Sequence, residues 1–171
     1  QNHDDLGCNG WEISAHANSA PDHEPIQGRQ YSDKAYDTLN NGLVRRIGTL
    51  NCGHVASPII LGVNSPQYSA EELEKFRQDN EAGVTFDGKH YTGYEATQMQ
   101  RRLERAIRAQ KRRVLLAGPE DAAPRKSRLV LLQQEYHRFS DGVGLRTEDE
   151  RLEVSGFGPK QMKSAKAAVS K

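Results

Sequence analysis

The run Met99-Gln100-Arg101-Arg102-Leu103-Glu104-Arg105-Ala106-Ile107-Arg108-Ala109-Gln110-Lys111-Arg112-Arg113-Val114-Leu115 sets the architecture. Met99, Leu103, Ile107, Val114 and Leu115 lie close to the spacing that puts side chains on one face of an α-helix. The pattern predicts a long helix over residues 94–117, entered from Thr92 or Gly93 and ended by Gly118-Pro119. A polar connector containing Pro124 follows, and then a second helix over 125–140 with Leu129, Leu132, Tyr136 and Phe139 on one side. Helices joined by a short loop pair antiparallel, so a helical hairpin is expected.

The same run carries most of the chain's positive charge. Residues 98–128 hold ten Lys and Arg against three Asp and Glu, whereas residues 1–94 hold seven against thirteen, so a formal net charge of +1 hides a segregation. Arg101, Arg105, Arg108 and Arg112 follow three- and four-residue steps, and with Arg102, Lys111 and Arg113 they form a guanidinium-rich ribbon beside the apolar stripe. Arginine engages phosphate through paired donors, which makes DNA a natural partner. An acidic protein surface is the competing partner, and a plain solvated face is the simpler alternative. Few aromatic residues lie among these charges, so a base-stacking platform is not expected.

Upstream of the helices the pattern changes. In residues 1–64, short apolar pieces such as Trp11-Glu12-Ile13 and Ile59-Ile60-Leu61-Gly62-Val63 alternate with Gly, Asn and Pro, which predicts short strands and loops. Ser69 followed by Glu72 has capping-box spacing and opens a helix that runs to about Asn80 and stops before Gly83. Val84 to Tyr91, centred on Asp87-Gly88, reads as a β-hairpin. Gly, Ser and Lys dominate from Gly142 onward, and the segment from Lys160 is expected to be poorly ordered on its own.

Four of the six histidines and both cysteines fall within residues 1–54, among the turn formers Pro21, Pro25, Gly28, Gly48 and Gly53. His16, His23, Cys52 and His54 offer the imidazole and thiolate donors that zinc takes in fours, with Cys8 as a substitute. The competing structural reading makes Cys52 a small buried residue and the histidines hydrogen-bonding struts. A catalytic reading uses His23 as a general base, Arg29 as an anion holder, and Gln27, Ser14 and Tyr31 to position a substrate. No Ser-His-Asp order, phosphate loop or His-Glu-x-x-His helix accompanies it, so no reaction class is specified.

Several of these strings also carry a resemblance. Ser14-Ala15-His16, the run Pro21-Asp22-His23-Glu24-Pro25-Ile26-Gln27-Gly28-Arg29-Gln30-Tyr31-Ser32, Asn51-Cys52-Gly53-His54 and Gly88-Lys89-His90-Tyr91-Thr92-Gly93-Tyr94-Glu95 resemble the C-terminal part of the phage minor capsid protein 2 family. Pro58-Ile59-Ile60-Leu61-Gly62 and Leu145-Arg146-Thr147-Glu148 are similar to it as well. The resemblance implies a structural component of a phage or prophage head, located in the virion and, during assembly, in the host cytoplasm, with capsid or portal protein as partners. Relatives fused to toxin domains keep open an enzymatic alternative, a nuclease or nucleotide-modifying domain built on the His23 and Arg29 loop. A non-catalytic zinc-stabilised module is a third reading. Val55, Ser57 and Ser19 depart from the pattern around the His and Cys residues, where Ser19 stands at a place that can hold cysteine.

Composition bounds these readings. Only 35% of the 171 residues are hydrophobic, so much of the chain must be solvated or face a partner. No apolar run approaches membrane-spanning length and no charged-then-apolar leader is seen, so neither a membrane span nor a secretory signal is expected. The start at Gln1 rather than Met reads as a fragment or processed product. Two cysteines do not make a disulfide scaffold, which favours a reducing compartment, although a Cys8–Cys52 bridge stays open. The fold class expected is α+β: a loop-rich, β-containing core with the His/Cys cluster over 1–94, a projecting basic helical hairpin over 95–141, and a C-terminal tail over 142–171.

Overall fold

A computed structural model describes His3, residues 6–49 and residues 52–168; Asn51, the first residue of the quoted Asn51-Cys52-Gly53-His54 string, lies outside the described residues. The fold is α+β, and the chain divides into two compact units, Gln1–Gly83 with Thr92–Tyr94, and Val84–Tyr91 with Glu95–Lys171.

The first unit is built on β1 (Gly10–Ile13), β2 (Gln30–Ser32) and β3 (Ala56–Ile59), an antiparallel sheet in the order β2-β1-β3. Trp11 faces Tyr31 on one side and Pro58 on the other, and Ile13 pairs with Ala56. Pro58 has no N–H to donate, which an edge strand tolerates. Gly10 is where no side chain fits, because a Cβ there would lie 2.5 Å from Tyr31 O and 2.8 Å from Leu61 Cγ. Ile13 is fully buried, and Trp11, half-buried, stacks on Tyr36 with centroids 5.4 Å apart.

Tyr36 belongs to α1 (Asp33–Gly42), a helix the sequence reading left among the loops. Ser32 caps it by accepting from Ala35 N at 3.3 Å. None of its residues is buried, and Ala35, Tyr36 and Leu39 make an apolar stripe too short to have announced it. By contrast α2 (Ala70–Ala82) has the predicted capping box in full: Ser69 Oγ accepts from Glu72 N at 3.2 Å, and Glu72 Oε2 accepts from Ser69 N at 2.8 Å.

The second unit opens with the expected hairpin, β4 (Val84–Phe86) and β5 (Lys89–Tyr91). Asp87 and Gly88 have φ of 51° and 75°, the left-handed pair that a tight hairpin turn needs. Then come α3 (Gly93–Leu115) and α4 (Pro119–Gly142), the predicted helical hairpin. Its second arm begins earlier than the sequence suggested, and the connector is only residues 116–118. Pro119 occupies the first helical position, where its missing N–H costs nothing, and Arg125 bonds Asp121 at 2.7 Å one turn away. Pro124 removes one early hydrogen bond without stopping the helix.

Leu103, Ile107, Leu129, Val130, Tyr136, Phe139, Leu152 and Ala165 form one buried cluster. Phe86 and Tyr91 meet Phe139 edge-on at 5.3 Å and 5.5 Å. Polar ties cross the hairpin: Gln100 Nε2 donates to Ser140 Oγ at 3.0 Å, and Gln110 Nε2 to Arg125 O at 2.8 Å.

The C-terminal segment departs from expectation. Residues Asp149–Leu152 form a 3-10 turn and Pro159–Ala167 form α5, with Leu152 and Ala165 inside the core. Lys111 Nζ donates to Leu152 O at 2.8 Å, and Arg108 donates to Arg151 O. Tertiary contacts of this kind order a segment whose composition alone gives no reason to fold. Among the described residues, no helix is long and apolar enough to cross a membrane.

Candidate functional site

Two features invite a functional reading, one in each unit. The first lies where β1 runs into the loop 14–29 and the loop 43–55 runs into β3. Because Ile13 pairs with Ala56, these two loops leave the same end of the sheet. Ser14 N donates to Val55 O at 2.8 Å and Val55 N to Ser14 Oγ at 2.9 Å, which closes the junction. Helical turns at Ala20–Gln27 aim His23 and Gln27 inward, with His23 N on Ala20 O and Gln27 N on His23 O.

His23, Cys52 and His54 come together there, with one donor atom from each within 4.8 Å of the others. Cys52 Sγ is 3.5 Å from His23 Nδ1 and 3.6 Å from His54 Nδ1. His16 stands beside them: its ring packs against His54 with centroids 4.3 Å apart. Its Nε2 is buried and has no hydrogen-bond partner among the described residues. Both cysteines are free, and Cys8 does not join the cluster.

The outer ring nitrogens are already engaged. His23 Nε2 lies 2.7 Å from Arg45 O, and His54 Nε2 lies 3.0 Å from Gln27 Oε1. A carbonyl oxygen only accepts, so His23 Nε2 carries the hydrogen. Gln27 Oε1 also accepts from His16 N at 3.1 Å, which marks it as the amide oxygen and assigns the hydrogen to His54 Nε2 in turn. Burial, reinforced by His16 and His23, pushes His54 down to about 4, and burial likewise lowers His16. Both effects favour neutral rings, whose remaining lone pairs are ligands for a metal.

Gln27 is therefore a buried strut that sets a tautomer. His23 is 1% exposed and Gln27 3%, whereas Arg29 is exposed, so the three residues of the catalytic reading do not share one open surface. Ser14 and Tyr31 are also committed internally, Tyr31 donating to Ile26 O at 3.1 Å. Two further participants have no role in the site on the sequence reading, which notes Ser19 only as standing where cysteine can occur and does not single out Arg45. Ser19, 1% exposed, has its hydroxyl 3.4 Å from His54 Nε2. Arg45 receives His23 on its carbonyl while its guanidinium bonds Asp22 at 3.0 Å and Tyr94 OH at 3.4 Å. A contribution made through a backbone carbonyl leaves no mark in the side-chain pattern.

The second feature is the basic face of α3. Arg102, Arg105, Arg112 and Arg113 are exposed, Arg101 and Arg108 are half-buried, and Lys111 is buried. At about 100° per residue the four exposed arginines fall within an arc of roughly 100°, with Lys111 on the opposite side. Lys111 and Arg108 serve carbonyl groups of the 149–152 segment, so the ribbon is redistributed relative to the spacing-based set. None of the four exposed arginines forms an ion pair or side-chain hydrogen bond with the described residues. Glu104, the acidic residue in the middle of this run, is turned inward at 3% exposed.

No curated protein and no solved structure matches this chain. The sequence model of phage minor capsid protein 2 matches residues 1–141, from the start of the chain to the last turn of α4. The chain thus belongs to the phage minor capsid protein 2 family, and its role is that of a structural protein of the phage virion.

Proposed function

We propose that this chain is a head-associated component that contacts capsid or portal protein during assembly in the host cytoplasm, and that the exposed arginine face of α3 meets packaged DNA. The observation that supports this reading is the one-signed surface formed by Arg102, Arg105, Arg112 and Arg113. Exposed helices ordinarily mix charges and neutralise them through pairs three or four residues apart. Here four cations point the same way with no acidic neighbour engaging them, and the helix spends its central glutamate on the interior. From Arg102 to Arg113 the face is roughly 16 Å long at about 1.5 Å per residue, enough to follow several phosphates of a duplex. Contacts to phosphate by arginine carry no base preference, which suits a protein that meets whatever genome is packaged.

The test is a titration of duplex DNA of arbitrary sequence at several salt concentrations, comparing the parent chain with R102A/R105A/R112A/R113A. Each phosphate contact contributes about 0.9 to the slope of log K against log salt, so four lost contacts flatten it by about 3.6. Across a fourfold change in salt this corresponds to roughly a hundredfold difference in affinity loss between the two proteins. Equal slopes for parent and variant, or no binding by the folded parent at low salt, would remove DNA from the proposal.

A further inference from the structure

The interior of the first unit contains a hydrogen-bonding deficit that its own residues do not resolve. His23 and His54 each donate their Nε2 hydrogen outward, to Arg45 O and Gln27 Oε1. A neutral imidazole has one N–H, so both Nδ1 atoms turn lone pairs toward the Cys52 sulfur. A thiol has one hydrogen and serves one of them. The other is left as a buried acceptor without a donor, an arrangement that folded proteins avoid.

A divalent cation resolves all three groups at once. A tetrahedral zinc with a metal–sulfur distance of about 2.3 Å and metal–nitrogen distances of about 2.0–2.1 Å separates sulfur from each nitrogen by about 3.5 Å. The separations here are 3.5 Å and 3.6 Å. The outward hydrogen bonds are also those that orient metal-bound histidines, with the far ring nitrogen held by a carbonyl oxygen.

The unit has a structural need for such a link. Its buried apolar side chains among the described residues are Ile13, Ala20, Ile47 and Ile59, while the contiguous hydrophobic cluster belongs to the other unit. Ser19, His23, Gln27, His54 and Asn80 occupy the interior instead. Small folds with little apolar core commonly rely on a metal or disulfide staple, and both cysteines here are free.

We propose that His23 Nδ1, Cys52 Sγ and His54 Nδ1 bind one zinc-class cation, with His16 Nε2 as the fourth ligand, and that the ion staples the loop 14–29 to the loop 43–55. His16 supports the fourth assignment in two ways: its Nε2 is buried without a partner among the described residues, and Gly53 leaves it room. A Cβ on Gly53 would stand 3.0 Å from that nitrogen. Cys8 has no part in the site. The inference is independent of DNA contact, since it concerns the other unit.

The full chain, produced without a histidine tag and dialysed with zinc and then without it, is assayed for metal by mass spectrometry. The cobalt(II)-substituted chain is examined by absorption spectroscopy. The expected result is about one zinc per chain, retained by C8S, lost by C52S, and a cobalt spectrum with thiolate charge-transfer and intense tetrahedral d–d bands. Folded parent chain without bound zinc, or without the thiolate band, overturns the proposal, and this measurement needs no variant to fold. In H16A the d–d bands should weaken as water replaces the fourth nitrogen; an unchanged spectrum would exclude His16 while leaving the three-ligand site.

Discussion

Replacing Glu104 by Gln should stabilise the second unit at neutral pH, although it removes one member of an ion pair. Glu104 is 3% exposed and its Oε1 has no hydrogen-bond donor among the described residues. The charge that faces it, Arg151 Nη1, is 3.8 Å away on a side chain that is 47% exposed, so solvent screens the attraction. A partly exposed pair of this geometry is worth at most about 1 kcal/mol, whereas a buried, unmet carboxylate oxygen costs about 1–3 kcal/mol. Desolvation therefore wins, and it raises the Glu104 pKa above the ordinary carboxylate value despite Arg151, Arg108 and Arg101.

The sign with pH follows from that direction. The folded state holds the Glu104 proton more tightly than the unfolded state does, so ionisation destabilises the fold as pH rises through the unfolded and then the folded pKa. Below the unfolded value, about 4.3, both states are protonated and the penalty disappears. The Glu104→Gln variant should gain about 1 kcal/mol at pH 7 and little near pH 4. Urea unfolding followed by far-UV circular dichroism reports mainly the long helices of this unit, while the single Trp11 reports the other. A loss of stability at pH 7, or a gain that persists undiminished at pH 4, would refute the claim that burial outweighs the Arg151 pair.

Phe139→Ala should cost about 3–5 kcal/mol, because the ring is 1% exposed and is met edge-on by Phe86 and Tyr91; the midpoint of the same urea titration measures it, and a cost under 1 kcal/mol would mean that the hairpin β4–β5 packs elsewhere. Ser69→Ala removes one half of an exposed capping box and should cost about 1 kcal/mol, visible as faster amide exchange in the first turn of α2, while Ser69→Thr should retain most of the protection.

The sequence by itself determined whatever depends on neighbours a few residues apart. The apolar stripe Met99, Leu103, Ile107 and Val114 predicts α3, Ser69 and Glu72 predict the start of α2, and Asp87-Gly88 predicts the turn of the hairpin, because helix faces, caps and tight turns are local geometry. The family resemblance was legible for the same reason, in contiguous strings. Two local signals were present but too weak: Ser32 before a short, mostly polar helix, and Pro119 with Glu120 and Asp121 as a helix start ahead of Pro124.

Only the tertiary structure decided which side chains meet and which way they point. His23 and Cys52 are brought to 3.5 Å because Ile13 pairs with Ala56, a register set by the whole sheet. Which imidazole nitrogen faces the sulfur depends on Arg45 O and Gln27 Oε1, groups no spacing rule connects to it. Likewise, charge alone marks Arg102 and Lys111 as equals on one helix. The return of residues 149–152 buries Lys111 against Leu152 O and leaves Arg102 outward, because a carbonyl from a distant segment offers the ammonium group a dry hydrogen bond that water would otherwise have supplied.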